Sequence, residues 1–138
     1  MKKVLVFGTF DIFHEGHRYF LRQAKKQGDF LQVVVARDET VFKVKRKKPL
    51  HNEKQRLVQV EKSGLSDEVI LGNLKDKYAV VKKIAPEIIC LGYDQEFFIE
   101  NLEKKLQEFG LEKTKIIRLK SYKRDIFKSS LLAKEKLK

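Results

Sequence analysis

Val4-Leu5-Val6-Phe7-Gly8-Thr9-Phe10-Asp11-Ile12-Phe13-His14-Glu15-Gly16-His17 is the stretch that decides how this chain is read. Its four leading apolar residues form a continuous run, as in a strand buried on both faces. Gly8-Thr9 then breaks the run as a turn. From His17 a helical pattern continues to Gln27, with Phe20, Leu21 and Ala24 on one face and Gly28 as its stop. A strand, a Gly-Thr turn and a helix start bearing two histidines make a place to hold phosphate. Free N–H groups and the positive end of the helix dipole point into such a turn, and imidazoles add donors beside them.

Working outward, four more apolar runs read as buried strands: Leu31 to Ala36, Glu68 to Leu71, Glu87 to Leu91 and Lys115 to Leu119. Helical patterns lie between them. Asn52 and Gln55 have the spacing of a capping box, Leu57 and Val60 share a face behind it, and Gly64 is the stop. Tyr78 to Ile84 predicts a short helix before Pro86. Phe97 to Phe109 predicts a longer one, with Phe98, Leu102, Leu106 and Phe109 on one stripe. Strand–helix alternation along the whole chain predicts a doubly wound, Rossmann-like α/β fold: one domain, 1–138, with a parallel sheet of five strands flanked by helices. In such sheets ligands sit at the carboxyl ends of strands, where the strand order reverses. The segments after those ends are Gly8 to His17, Arg37 to Lys48, Gly72 to Lys77, Gly92 to Gln95 and Lys120 to Ser130. Four of the five carry the chain's unusual polar chemistry.

Composition narrows the classes. The 138 residues suit one self-sufficient core, and no apolar run approaches the ~20 residues that cross a bilayer. The apolar run ending at Phe7 is also too short for a signal peptide. The one cysteine, Cys90, lies in Ile88-Ile89-Cys90-Leu91 and reads as a small buried hydrophobe in a reducing, cytoplasmic setting. Thirty-one basic against nineteen acidic residues leave a net charge of +12, which favours an anionic partner or simply a self-repelling surface. A basic nucleic-acid-binding module accounts for that charge but not for the histidine-bearing turn, and no aromatic RNA-binding signature is present.

For His14 and His17 three readings compete. A metal pair needs a third ligand, and His51 is the one histidine left. A structural pair would cap the helix. A phosphate-contacting pair would donate from Nε2 as negative charge builds on a leaving group. Thr9 offers a hydroxyl and an N–H, Gly8 lets the backbone approach an anion, and Gly16 keeps a Cβ out of the way. In the run Lys43 to Lys48, read as a loop, alternation puts Lys43 and Lys45 on one side if the segment is extended. Arg56 reads either as a surface residue or as a holder of substrate phosphate. Asp94, after Gly92, suits a ribose or base edge, an acceptor hydroxyl, or a plain turn. Ser129 and Ser130 begin a final amphipathic helix and double as N-caps.

Gly8-Thr9-Phe10-Asp11 with His14-Glu15-Gly16-His17 resembles the signature of the cytidylyltransferase-like branch of HIGH-motif nucleotidylyltransferases. Arg37-Asp38-Glu39-Thr40-Val41, the lysine segment with Lys48-Pro49, Glu53-Lys54-Gln55-Arg56 and Leu91-Gly92-Tyr93-Asp94-Gln95 look most like archaeal-type FAD synthases. Glycerol-3-phosphate cytidylyltransferases are similar in the first motif. They usually show an acidic pair and a tryptophan near Tyr93-Asp94-Gln95, and a Ser-Thr-Thr segment that Lys128-Ser129-Ser130 matches in part. The late cysteine pair common in the FAD-synthase type is absent, with Lys123, Arg124 and Asp125 in that region.

The resemblance implies transfer of a nucleoside monophosphate from a triphosphate to a phosphorylated acceptor, with pyrophosphate released. ATP with FMN is the first expectation, and CTP with glycerol 3-phosphate or a similar alcohol phosphate the alternative. It implies catalytic roles for His14, His17 and Lys45, the lysine lying on the α- and β-phosphates. It places Gly8, Thr9, Phe10, Gly16, Gly92, Asp94, Ser129 and Ser130 on the nucleotide. Asp11, Arg56, Lys123 and Arg124 fall near the acceptor or its phosphates, and Asp11 also near the metal. Mg²⁺ is expected mainly on the phosphates themselves, and dimers are frequent in the family.

Overall fold

The computed structural model describes residues 1–73, 75–76, 78–92 and 101–120. Within them the chain runs β1 (Lys3–Gly8), α1 (Glu15–Lys25), β2 (Phe30–Val35), α2 (Asp38–Lys45), α3 (Glu53–Ser63), β3 (Glu68–Leu71), α4 (Ala79–Ile84), β4 (Ile88–Leu91), α5 (Leu102–Glu108) and β5 (Lys115–Arg118). The five strands pair in the order β3-β2-β1-β4-β5, and every pairing is parallel. All five lie where the apolar runs predict them. The Rossmann-like α/β expectation therefore holds.

Strand alternation explains why both faces need cover. Val4 and Val6 of β1, Leu31, Val33 and Val35 of β2, and Ile88 and Cys90 of β4 join Leu21 and Ala24 of α1 and Val60 of α3 in one core. Leu5, Val34, Ile89 and Leu91 point the other way, against Val81 of α4 and Leu102 and Leu106 of α5. Cys90 is fully buried, and burial pushes its thiol up to about 12, so it packs as a hydrophobe and not as a nucleophile.

Strand β1 is central: Val4 pairs with Leu31 on one side and with Ile88 on the other. The chain builds outward from β1 through β2 to β3, then crosses back to lay down β4 and β5. The order thus reverses between β1 and β4, and the carboxyl ends flanking that crevice carry Gly8-Thr9 and Gly92.

Helix α3 starts as the sequence predicts. Asn52 Oδ1 accepts from the Gln55 N–H at 2.8 Å, Gln55 Oε1 accepts from the Asn52 N–H at 2.8 Å, and Gly64 ends the helix in the left-handed region. One element corrects the sequence reading. Residues Asp38 to Lys45 form helix α2, not an extended loop, so Lys43 and Lys45 lie on different faces. Asp38 and Glu39 in the first turn and Lys43 and Lys45 in the last complement the helix dipole. A Glu39–Lys43 pair at 3.4 Å adds i,i+4 support, and left-handed Arg46 ends the helix.

Candidate active site

The turn after β1 is shaped by its aromatic residues. Phe10 takes a left-handed backbone, φ 53°, at a cost of order 1–3 kcal/mol for a bulky residue. Its ring folds back over Gly8, where a Cβ would lie 2.6 Å from Phe10 Cε2. Gly8 is therefore required by the ring beside it. The Phe10 ring is buried, and its side chain supports the turn from within.

Above that ring the two histidines cap α1. His14 Nδ1 accepts from the Gly16 N–H at 3.0 Å, and His17 Nδ1 accepts from the His14 N–H at 3.3 Å. This is a capping box built from imidazoles. A backbone N–H can only donate, so both Nδ1 atoms are unprotonated and both rings carry their proton on Nε2. The rings stack with centroids 3.9 Å apart, and Phe13 stacks on the far side of His17 at 5.6 Å. The Phe10 edge meets His17 at 5.3 Å.

Burial is the largest influence holding His17 down to about 3; His14, Lys45 and Arg18 add to it, and a hydrogen bond with the Ile12 backbone opposes. His14 is lowered too, by burial and then Arg18, with Glu15 opposing. Both rings are therefore neutral donors at pH 7. The effect on His17 also puts the Lys45 ammonium, from the last turn of α2, within electrostatic reach of that ring.

Beside the turn lies a polar frame. Arg56 is fully buried. It donates from Nε to the His51 carbonyl at 3.0 Å, from NH1 to the Thr9 carbonyl at 2.9 Å, and from NH2 to Asp38 Oδ1 at 2.7 Å. Full burial rules out a surface role: two of its donors tie α3 to the turn after β1 and to α2, and the third is given to the His51 carbonyl just ahead of α3. Asp11 is drawn into the same frame. Its Oδ2 accepts from the Leu50 N–H and its Oδ1 from the His51 N–H, each at 2.8 Å. Glu53 accepts from the Asp38 N–H at 3.0 Å and from Arg37 NH1 at 2.9 Å, and Arg37 Nε also donates to the Gly72 carbonyl at 2.8 Å. The Asp38 N–H, ahead of Arg37, holds the Glu53 carboxyl below its ordinary range.

The structure thus brings Gly8, Thr9, Asp11, His14, Gly16, His17, Lys45 and Arg56 to one end of the sheet. Gly92 follows the end of β4 beside them, its carbonyl accepting from Arg118 NH1 at 2.7 Å. Asp94, Lys123, Arg124, Ser129 and Ser130 lie outside the described residues, as does the final amphipathic pattern.

A strand end and a helix N-terminus with neutral imidazoles and a lysine beside it have the chemistry to hold an anion on a doubly wound sheet. A family model described as cytidylyltransferase-like matches residues 5–136. The chain belongs to the cytidylyltransferase-like family. The chain is 49% identical to the FAD synthase of Methanosarcina barkeri over 111 residues, 80% of this chain and 78% of that one. It is 40% identical to the FAD synthase of Picrophilus torridus over 128 residues, 93% and 91% of the two chains. A solved structure described as a lipopolysaccharide core biosynthesis protein of Thermoplasma volcanium superposes with a TM-score of 0.81 at 40% identity, covering 88% of this chain and 98% of that one. Pantoate-beta-alanine ligase from Francisella tularensis shares the fold at a TM-score of 0.61 and 15% identity, over 90% of this chain and 60% of the ligase.

Members of the cytidylyltransferase-like family are expected to work with a divalent cation. Among the described residues no group of three or more His, Cys, Asp or Glu could hold a metal. Asp11 directs both carboxylate oxygens at backbone N–H groups, and the histidine Nδ1 atoms are engaged as caps. These residues fit an anion and do not build a cage for Mg²⁺. Arg37, Asp38 and Glu53 stand in the motifs of the resemblance and His51 as a spare metal ligand, but nothing in the sequence assigns any of the four its role in the frame of this cytidylyltransferase-like chain. Asp38 and Glu53 carried a signal as helix-start acids, whereas His51, without a neighbouring ligand, carried none.

Proposed function

We propose that this chain transfers AMP from ATP to the phosphate of FMN, forming FAD and releasing pyrophosphate. The observation that carries the reaction type is the stacked pair of neutral, Nε2-protonated histidines at the head of α1, with Lys45 in reach. Kinship with FAD synthases supports the choice of substrates. An ionised oxygen of the FMN phosphate attacks the α-phosphorus in line. A new O–P bond forms, the bond from the α-phosphorus to the bridging oxygen breaks, and pyrophosphate leaves with that electron pair. The acceptor oxygen is already ionised, so no side chain need take a proton.

The protein supplies position and donors. Thr9 and the α1 N-terminus hold the triphosphate, His14 and His17 donate from Nε2 as charge builds on the leaving group, and Lys45 follows that charge as a point cation. Gly92, Asp94, Ser129 and Ser130 are assigned to the nucleotide, and Lys123 and Arg124 to the acceptor side, on the resemblance. Mg²⁺ belongs to this reading as a companion of the phosphates. A homodimer and a cytoplasmic location belong to it on the same ground.

Pyrophosphate release measured with ATP and CTP against FMN, glycerol 3-phosphate and phosphocholine tests the reading. Release is expected with ATP and FMN, reduced by two or more orders of magnitude in His17→Ala. Release confined to CTP with an alcohol phosphate would replace adenylyl by cytidylyl transfer, and near-normal release by His17→Ala would remove the histidine role.

A further inference from the structure

Helix α2 carries Lys45, yet burial does little to locate it. Val41 is its one buried residue, and Phe42, Lys43, Val44 and Lys45 are exposed. The residues that follow, Arg46, Lys47, Lys48 and Leu50, are exposed as well. A helix so lightly packed is held by its polar ties. Upstream these are the Arg56–Asp38 pair and the Glu53 bond to the Asp38 N–H. Downstream of Lys45 the first tie to the phosphate turn is made by Asp11. Its carboxylate takes the Leu50 and His51 N–H groups, and its own carbonyl lies 2.7 Å from His51 Nδ1. A carbonyl only accepts, so His51 carries its proton on Nδ1 and donates it there. This tautomer is opposite to that of His14 and His17. The three bonds close a clasp between residue 11 and residues 50–51, and the His51 carbonyl is bonded in turn by buried Arg56 at 3.0 Å.

We propose that His51 is a positioning residue: through its Nδ1–H to Asp11 it fixes the segment behind α2 and so registers Lys45 against the histidine pair. The proposal rests on the transfer reading, in which Lys45 contacts the phosphates. It deepens that reading by giving a function to the third histidine, which touches no reacting atom. Misplacing a catalytic group by about 1 Å can cost on the order of 10²-fold in rate.

The test is a double-mutant cycle on kcat/KM for FAD formation, with amide hydrogen exchange beside it. His51→Ala is expected to lower kcat/KM about 10- to 100-fold. His51→Asn should recover most of the loss, because its amide N–H can donate to the Asp11 carbonyl in place of Nδ1–H. In a Lys45→Ala background His51→Ala should cost less than about threefold, since the group it positions is gone. An equal loss with and without Lys45, or a wild-type rate in His51→Ala, would overturn the proposal. Exchange reads the clasp without any activity: the amides of Leu50 and Arg46 should exchange faster in His51→Ala and return with His51→Asn. Unchanged protection would also overturn it. Should the wild-type protein make no FAD while exchange responds as described, the transfer reading fails and the clasp stands.

Discussion

At the scale of single residues, His14 has two duties that chemistry can separate. Its Nδ1 caps α1 by accepting from Gly16, and in the proposed transfer its protonated Nε2 donates to phosphate. Asparagine is among the best N-caps and its oxygen can take the Gly16 N–H, but it has nothing in the place of Nε2–H. His14→Asn should therefore keep the melting temperature within a few degrees of wild type while turnover falls about 10²- to 10³-fold, the loss typical of one preorganised donor. Thermal denaturation beside pyrophosphate release checks both halves; a parallel fall in stability and rate would make the residue structural. Arg56 shows why single residues mislead in a sequence. A lone arginine in a polar helix gives no sign of burial, because its partners Thr9 and Asp38 are distant in the chain. Its guanidinium is tolerated inside because a carboxylate and two carbonyls meet it there.

At the scale of elements, the α1 capping box sets a pH dependence. In the unfolded chain a histidine takes its proton near pH 6.5, whereas folded His17 resists protonation down to about 3. Between those values the unfolded state binds more protons, so stability is lost as pH falls from about 6.5 and the loss levels off near pH 3. One such group contributes at most about 1.4 kcal/mol per pH unit across that window. His14, lowered as well, steepens the upper part. Denaturant midpoints from pH 7 to pH 4 should fall accordingly and fall less in His17→Gln; equal slopes would contradict this origin. The elements also show where the sequence was legible. Parallel strands buried on both faces leave continuous apolar runs, and Asn52 with Gln55 is a cap whose chemistry is local. Helix α2 leaves no apolar period in the sequence because it buries one side chain, so its lysine run looks like a loop. The imidazole cap is one of the three readings open to His14 and His17 in the sequence, and the structure bears it out although histidine is not a preferred cap.

At the scale of the whole molecule, sheet order sets the site. Placing β1 between β2 and β4 puts the Gly8–His17 turn at the reversal of strand order, and α2 and α3 are drawn over that end by the Arg56 and Asp11 bonds. The net charge of +12 favours an anionic partner in general, and in the proposed transfer the turn holds the triphosphate. The reaction is legible from the part of the chain that folds against β1. The segments in which the two resembled enzyme types differ, Tyr93 to Gln95 and Lys128 to Ser130, lie outside the described residues. Position-labelled ATP reads the central step directly. With FMN as acceptor, label at the α-phosphorus should appear in the flavin product one for one with pyrophosphate, and label at the γ-phosphorus should appear only in pyrophosphate. Gamma label in the flavin, or pyrophosphate formed without α label in the flavin, would contradict nucleotidyl transfer by this site.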